Sequence, residues 1–210
     1  MTCFIFAAGS FFALVERPAP GDLVIAADAG YQNCLAAGLT PDIIVGDFDS
    51  MPAPTGAQVV TLPVEKDDTD SLHAMRMGLE RGYRDFVLYG GTGGSRADHT
   101  IANLQCLLFL VSRGARGRMY GDRVVYRVIH NESLSFPASC RGTLSLFCLD
   151  GQAKGVSLRG LKYPLDRYTV TSDFPIGVSN SFTGAEAEIQ VEDGTLLIIS
   201  DIQGDEFDSI

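Results

Sequence analysis

Asp47 and Asp49 stand two residues apart in Gly46-Asp47-Phe48-Asp49-Ser50, directly after the apolar run Ile43-Ile44-Val45. If the extended backbone continues, residues two apart face the same side, and both carboxylates converge on one point. Two anions at that range repel each other, and a hard divalent cation with oxygen ligands relieves the repulsion. The same five residues would also make an ordinary polar turn. Three other segments could take part in the same chemistry. Lys66-Asp67-Asp68-Thr69-Asp70 precedes a helical pattern, so its acids and Thr69 suit either a helix cap and first turn or, with Lys66, a metal or phosphate site. Gly90-Gly91-Thr92-Gly93-Gly94-Ser95-Arg96 follows the apolar Phe86-Val87-Leu88-Tyr89; its glycines let an anion approach backbone N–H groups, and Arg96 offers a fork that matches phosphate oxygens. This loop is neither GxxxxGK[ST] nor GxGxxG, and a glycine-rich turn would explain the glycines better than the Arg96 and Asp98 that follow. Asp98 begins the next helical pattern, where N-capping is the plain alternative, and His99 reads as a polar helix residue without a catalytic role. Asp28-Ala29-Gly30 follows one more apolar run.

The elements that must position these residues are short apolar runs alternating with helical patterns. Strands are expected at residues 3–8, 23–27, 42–45, 58–62, 85–89 and 118–120, and helices at 31–37, 69–81 and 100–113. Leu72, Met75 and Leu79 define the apolar face of the second helix, and Ile101, Leu104, Leu108 and Val111 that of the third; Gly38, Gly82 and Gly114 are placed to stop the three. This alternation predicts a mostly parallel α/β sheet, with Asp28, Asp47, Asp49, Asp70, Arg96 and Asp98 at strand ends or helix starts, where open α/β sheets collect ligands. A metal-assisted nucleotide site is the reading these positions support together. After Gly121 the texture changes to short β-like segments at 124–129, 134–136, 143–148, 156–158, 168–170, 187–191 and 196–200, punctuated by Gly, Pro, Asp and Asn. That pattern predicts an all-β sandwich, with Glu192-Asp193-Gly194-Thr195 as a hairpin turn. The chain is therefore expected to divide into an α/β domain at 1–121 and a β-sandwich at 122–210, ending in a frayed acidic tail from Asp201.

Composition limits the partners. With a net charge of −10 and a pI near 4.6, the overall field repels polyanions, which argues against nucleic acid. The five cysteines form no CxxC pair and no zinc spacing, which fits reduced thiols in the cytoplasm. The apolar N-terminus lacks a basic start and a small-residue cleavage pattern, so it reads as a buried strand; no apolar run is long enough for a membrane helix.

Ala27-Asp28-Ala29-Gly30, Pro41-Asp42-Ile43-Ile44-Val45-Gly46-Asp47-Phe48-Asp49-Ser50, Lys66-Asp67-Asp68-Thr69-Asp70 and Gly93-Gly94-Ser95-Arg96-Ala97-Asp98-His99 resemble, in order and spacing, the motifs of bacterial-type thiamine pyrophosphokinases. Gly160-Leu161-Lys162-Tyr163-Pro164-Leu165 and Gly177-Val178-Ser179-Asn180-Ser181-Phe182 resemble the thiamine-domain motifs of that family. The resemblance implies transfer of pyrophosphate from ATP to thiamine with Mg²⁺, an N-terminal ATP domain, a C-terminal thiamine-binding sandwich, and a homodimer with an active site shared between subunits. It implies Asp47, Asp49 and Asp70 as metal ligands, and Asp28, Gly91, Thr92, Gly93, Gly94 and Arg96 around ATP. Lys66 and Arg96 would offset charge on the transferred group, and Asp98 would orient or deprotonate the hydroxyl or add a metal ligand. Ser179 and Asn180 would hydrogen-bond the aminopyrimidine and Phe182 would stack on the thiamine. Two departures stand out: Ser181 occupies a position that is often acidic in the family, and the chain has no Trp. A different metal-dependent nucleotide phosphotransferase or hydrolase, or a non-catalytic thiamine or nucleotide sensor, are the alternative readings.

Overall fold

A computed structural model of the chain describes residues 1–46, 58–61 and 68–202. The chain divides into two compact units, Met1–Asp122 and Arg123–Ile210.

The first unit contains β1 (Thr2–Phe6), β2 (Leu23–Ala27), α1 (Gly30–Ala36), β3 (Ile43–Gly46), β4 (Gln58–Thr61), α2 (Asp70–Glu80), β5 (Asp85–Tyr89), α3 (Ala97–Val111) and β6 (Arg116–Tyr120). Its strands lie in the order β6-β5-β1-β2-β3-β4 and pair in parallel throughout. Such a sheet, buried on both faces, needs continuous apolar strands, and Ile5, Phe6, Ile25, Ile44 and Val87 are fully buried. Because β1 pairs with β2 on one side and with the much later β5 on the other, chain order reverses between β1 and β5. At that reversal the loops after the two strands separate and leave a crevice.

Helix boundaries follow local chemistry. The Thr69 hydroxyl accepts from Leu72 N and caps α2, and Gly38, Gly82 and Gly114 end the three helices in the left-handed region. The packed faces differ from those expected. In α2 the buried residues are Ser71, Ala74, Met75, Met77 and Gly78, with Leu72 and Leu79 only half-buried. Gly78 sets this face: a Cβ there would lie 2.6 Å from the Phe86 ring. In α3 the buried face is Asn103, Cys106, Leu107 and Leu110, while Ile101 is 59% exposed. This helix is apolar nearly all round, so periodicity alone does not choose a face.

Residues 7–22 return from β1 to β2 across the sheet and are clamped to it at Glu16. The Arg118 guanidinium binds both Glu16 carboxylate oxygens and reaches Asp85 Oδ1 at 2.6 Å, and the Tyr120 hydroxyl also donates to Glu16. Burial disfavours the Arg118 charge, but Glu16 and Asp85 outweigh it and hold the guanidinium firmly protonated. The Tyr89 hydroxyl accepts from Glu16 N at 2.7 Å and donates to Glu16 O at 3.0 Å.

The second unit contains β7 (Val124–His130), β8 (Ser133–Phe136), β9 (Thr143–Cys148), β10 (Gln152–Arg159), β11 (Leu165–Thr171), β12 (Asn180–Ser181), β13 (Ala187–Gln190) and β14 (Thr195–Asp201). They form two antiparallel sheets, β12-β9-β14-β7 and β11-β10-β13-β8. Leu144, Leu146, Leu196 and Ile198 from one sheet and Ala153, Val156, Leu158 and Ile189 from the other enclose a single core, which makes the unit a β-sandwich. Two expectations need correction. Asp193-Gly194 is not a hairpin turn, because β13 pairs with β10 and β8 while β14 pairs with β7 and β9; the segment carries the chain from one sheet to the other. Gly194, with φ +126°, lets it pass so close to β10 that a Cβ would meet Ala153 Cα at 2.7 Å. Asp201 is not frayed: it ends β14 and its carboxylate accepts from Thr143 N at 2.7 Å.

Candidate active site

The crevice at the β1/β5 reversal opens into a cleft of about 500 Å³ at the carboxyl end of the parallel sheet. Two loops form its floor. Beyond β1 and β5 the chain keeps a ladder of backbone bonds: Ala7 N to Tyr89 O, Gly9 N to Gly90 O and Ser10 N to Thr92 O, each 2.8 Å. Glycine is required at Gly90, where φ is +66° and a Cβ would collide with Ala7 O, and at Gly94, where φ is +75° in open space. Among the described residues, the N–H groups of Gly91, Thr92, Gly93 and Gly94 donate to no protein acceptor. Such a run of donors is an anion site in chemical terms. Gly91, Gly93 and Gly94 line the cleft, whereas Thr92 is buried behind them with 8% exposure.

Two acidic residues line the same cleft. Asp28, directly after β2, takes a left-handed backbone with φ +50°, which is unusual for a non-glycine residue and tolerated best by Asp and Asn. Its N–H donates to Val45 O at 2.7 Å, and Gly46 packs so tightly alongside that a Cβ would lie 3.3 Å from Asp28 Cα. Asp70 comes from the first turn of α2, where its charge is also favoured by the helix N-terminus. Asp28 and Asp70 add hard oxygen donors beside the N–H array, a set that suits a phosphate-bound divalent cation. Among the described residues no group of three or more such ligands assembles. The expected ligands Asp47 and Asp49, and Lys66, lie outside the described residues.

Arg96 lines the cleft just ahead of α3, and Asp98 sits in that helix's first turn. They hold each other: Arg96 Nε donates to Asp98 Oδ1 at 3.0 Å and its NH2 group to Oδ2 at 2.7 Å. The Arg96 hydrogen bond holds the Asp98 carboxyl down at about 2, so in this pairing Asp98 is a stable anion and a poor proton acceptor. Asp98 is therefore not the N-cap; Arg96 occupies that position and makes no side-chain cap bond. His99 also lines the cleft.

Sequence reasoning overlooked two amides. Asn33 of α1 donates through Nδ2 to Ala7 O at 2.7 Å and Gly9 O at 2.8 Å. Asn103 of α3 donates to Gly91 O at 2.9 Å and is 5% exposed. Asn103 interrupts the apolar run of its helix, and that lone polar residue on a buried face was the available signal.

In the second unit the expected thiamine contacts occupy different settings. Ser179 has φ +59°, and its N–H donates to Ser145 Oγ at 3.0 Å. Asn180, 4% exposed, accepts from Tyr163 N and Ser181 N at 2.9 Å and donates to Tyr163 O at 2.7 Å. The Phe182 ring is 9% exposed and packs on Phe136 with centroids 5.1 Å apart, inside the sandwich core. The exposed apolar side chains nearby in sequence are Tyr163, Tyr168, Phe174, Ile176 and Val178. No helix among the described residues is long and apolar enough to cross a membrane.

Comparison with known proteins covers both units. The family model described as Thiamin pyrophosphokinase, catalytic domain, matches residues 19–116, and that described as Thiamin pyrophosphokinase, vitamin B1 binding domain, matches residues 131–196. A thiamine pyrophosphokinase of Bacillus subtilis (strain 168) is 26% identical over 192 residues, covering 84% of this chain and 86% of its own. The crystal structure of thiamine pyrophosphokinase from Bacillus subtilis superposes with a TM-score of 0.86 at 25% identity, covering 97% of this chain and all 100% of its own. A thiamin pyrophosphokinase family protein from Enterococcus faecalis gives 0.81 at 26% identity, covering 97% of this chain and 99% of its own.

Proposed function

Because the chain belongs to the thiamine pyrophosphokinase family, we propose that it transfers the pyrophosphoryl group of ATP to the hydroxyl of thiamine, giving thiamine diphosphate and AMP. The observation that carries this reading is the cleft at the β1/β5 reversal, where Gly91, Gly93 and Gly94, with N–H groups that have no protein acceptor among the described residues, line the same cavity as Asp28 and Asp70. Glycine N–H groups bind the polyphosphate, and Arg96 exchanges its bond to Asp98 for phosphate oxygens. Asp47, Asp49 and Asp70 would hold Mg²⁺, which when bound neutralises the charge of the phosphates. Lys66 adds a cation on the transferred group. The thiamine oxygen must reach the β-phosphorus in line with the departing AMP oxygen, so the main work of these residues is alignment and charge balance. Once Arg96 has turned to phosphate, Asp98 loses the partner that suppresses its basicity and can orient the hydroxyl or take its proton.

Thiamine is assigned to the second unit, around Ser179, Asn180 and Phe182. The buried Asn180 carboxamide and Phe182 ring act there as the support beneath a surface formed by the strained Ser179 turn. The exposed apolar residues between Tyr163 and Val178 support a homodimer whose subunits share the site. Five buried, unpaired cysteines support a reducing, cytoplasmic setting.

Incubation with ATP, Mg²⁺ and thiamine, followed by separation of the nucleotides, tests the proposal. Thiamine-dependent AMP formation is expected. ADP as product would make the protein an ordinary kinase, and nucleotide release without thiamine would make it a hydrolase.

A further inference from the structure

We propose that Asn103 and Asn33 are positioning residues that preset the phosphate-binding loop, an inference that rests on reading residues 91–94 as the polyphosphate cradle. A peptide unit is planar and trans, so fixing the direction of one C=O fixes the next residue's N–H in the opposite direction. Three successive units in the loop are fixed in this way. Gly90 C=O is held by Gly9 N–H, Gly91 C=O by Asn103 Nδ2, and Thr92 C=O by Ser10 N–H. The N–H groups of Gly91, Thr92 and Gly93 are thereby set before any ligand arrives. Of these three restraints, the one on Gly91 C=O alone comes from a side chain.

The opposing loop shows the same construction. Asn33 holds Ala7 C=O and Gly9 C=O. The Gly9 unit is fixed at both ends, since Ser10 N–H donates to Thr92 O at 2.8 Å. Asn33 therefore braces the strand of backbone that itself braces residues 90–92. Glycines would otherwise leave this loop many conformations, and restricting them in advance lowers the entropy lost on binding. Packing gives no reason for an amide at Asn103, because its neighbours on the buried face of α3 are Cys106, Leu107 and Leu110 and a leucine would fill such a place without a polar group to satisfy.

The test uses the full chain with Asn103→Leu and Asn33→Ala, measuring ADP–Mg²⁺ binding by calorimetry and steady-state kinetics for both substrates. In Asn103→Leu, loss of the bond to Gly91 O is expected to weaken ADP binding about tenfold and to raise the ATP KM similarly, with the thiamine KM unchanged. Asn33→Ala should move the same quantities in the same direction by less. An unchanged ADP Kd in folded Asn103→Leu would overturn the inference, as would parallel rises in both KM values, the mark of general loosening. Should Asn103→Leu fail to fold, the half-buried Asn33→Ala decides the question on the same two criteria. Wild-type protein that binds ADP but forms no AMP with thiamine would remove the proposed reaction while the variants still judge the two amides. Wild type that forms AMP while Asn103→Leu binds ADP normally would do the reverse. A wild type that binds no ADP and forms no AMP overturns both.

Discussion

Residues 90–94 of the first unit, which follow the end of β5, and residues 179–182 of the second, which include β12, are both short segments, and the fold uses them in opposite ways. In the first, three carbonyls are held by neighbours and the N–H groups of residues 91–94 have no protein acceptor among the described residues, so what the segment offers a ligand is its backbone. In the second, Asn180 spends its carboxamide on Tyr163 and Ser181, and Phe182 is part of the core. A motif residue can thus be committed to the fold instead of being open to a ligand, and burial with saturated hydrogen bonds is what tells the two apart.

The sharpest way to break this contrast is Phe182→Ala. Removing a buried ring should lower the unfolding free energy by about 3–5 kcal/mol, read from urea denaturation. An unshifted midpoint with a raised thiamine KM would instead make Phe182 a surface contact. Asp70→Asn tests the other side: turnover should fall about 10²–10³-fold if this carboxylate holds the Mg²⁺ that neutralises the bound phosphates. Its urea midpoint should move little, since an acidic residue in the first turn of a helix contributes about 0.3–1 kcal/mol through the helix dipole.

These two outcomes also bear on what was legible beforehand. The parallel sheet could be read from continuous apolar runs such as Leu23–Ala27 and Asp85–Tyr89, because a strand buried on both faces has no polar alternative. The switch from β1 to β5 could not, since partner choice depends on tertiary packing. The helices were foreseeable from caps and stopping glycines, but their buried faces were not. Gly78 lets α2 approach Phe86 through a missing side chain, and α3 is too uniformly apolar for its pattern to point anywhere. Asp28 and Asp70, which line the cleft, stand out in the sequence by type and position, while Asn33 and Asn103 act on carbonyls whose direction no sequence pattern reveals.

A finer prediction concerns Asp98. Its carboxyl is held at about 2 against an ordinary 3.8, so the stability it contributes is complete above the ordinary value and lost as pH falls from there through about 2. Both partners are exposed, so that contribution is small. Over about pH 5 to 8 the paired Asp98 does not titrate, and Asp98→Asn should lower kcat without altering the shape of the acid limb of kcat/KM. Disappearance of a wild-type acid limb in that variant would show that Asp98 is released from Arg96 before substrate binds. The smallest effect is expected from the thiols. Burial pushes Cys3 and Cys34 up to about 12 and Cys106 to about 11. Iodoacetamide at about pH 8 should therefore leave these three unlabelled and activity unchanged, as protonated, inaccessible thiols are poor nucleophiles. Rapid labelling would show that the first unit opens readily.

The clamp at Glu16 has a consequence for how the chain is made. Glu16 finds Arg118 and Tyr120 only 102 and 104 residues later in the sequence. At a translation rate of about 5–20 residues per second, that separation keeps the nascent Glu16 waiting for roughly 5–20 s. The central strand β1 is under the same constraint, since its partner β5 is also made late. The amino-terminal third therefore leaves the ribosome as an incomplete sheet, and the first unit cannot close fully before β6 has been made.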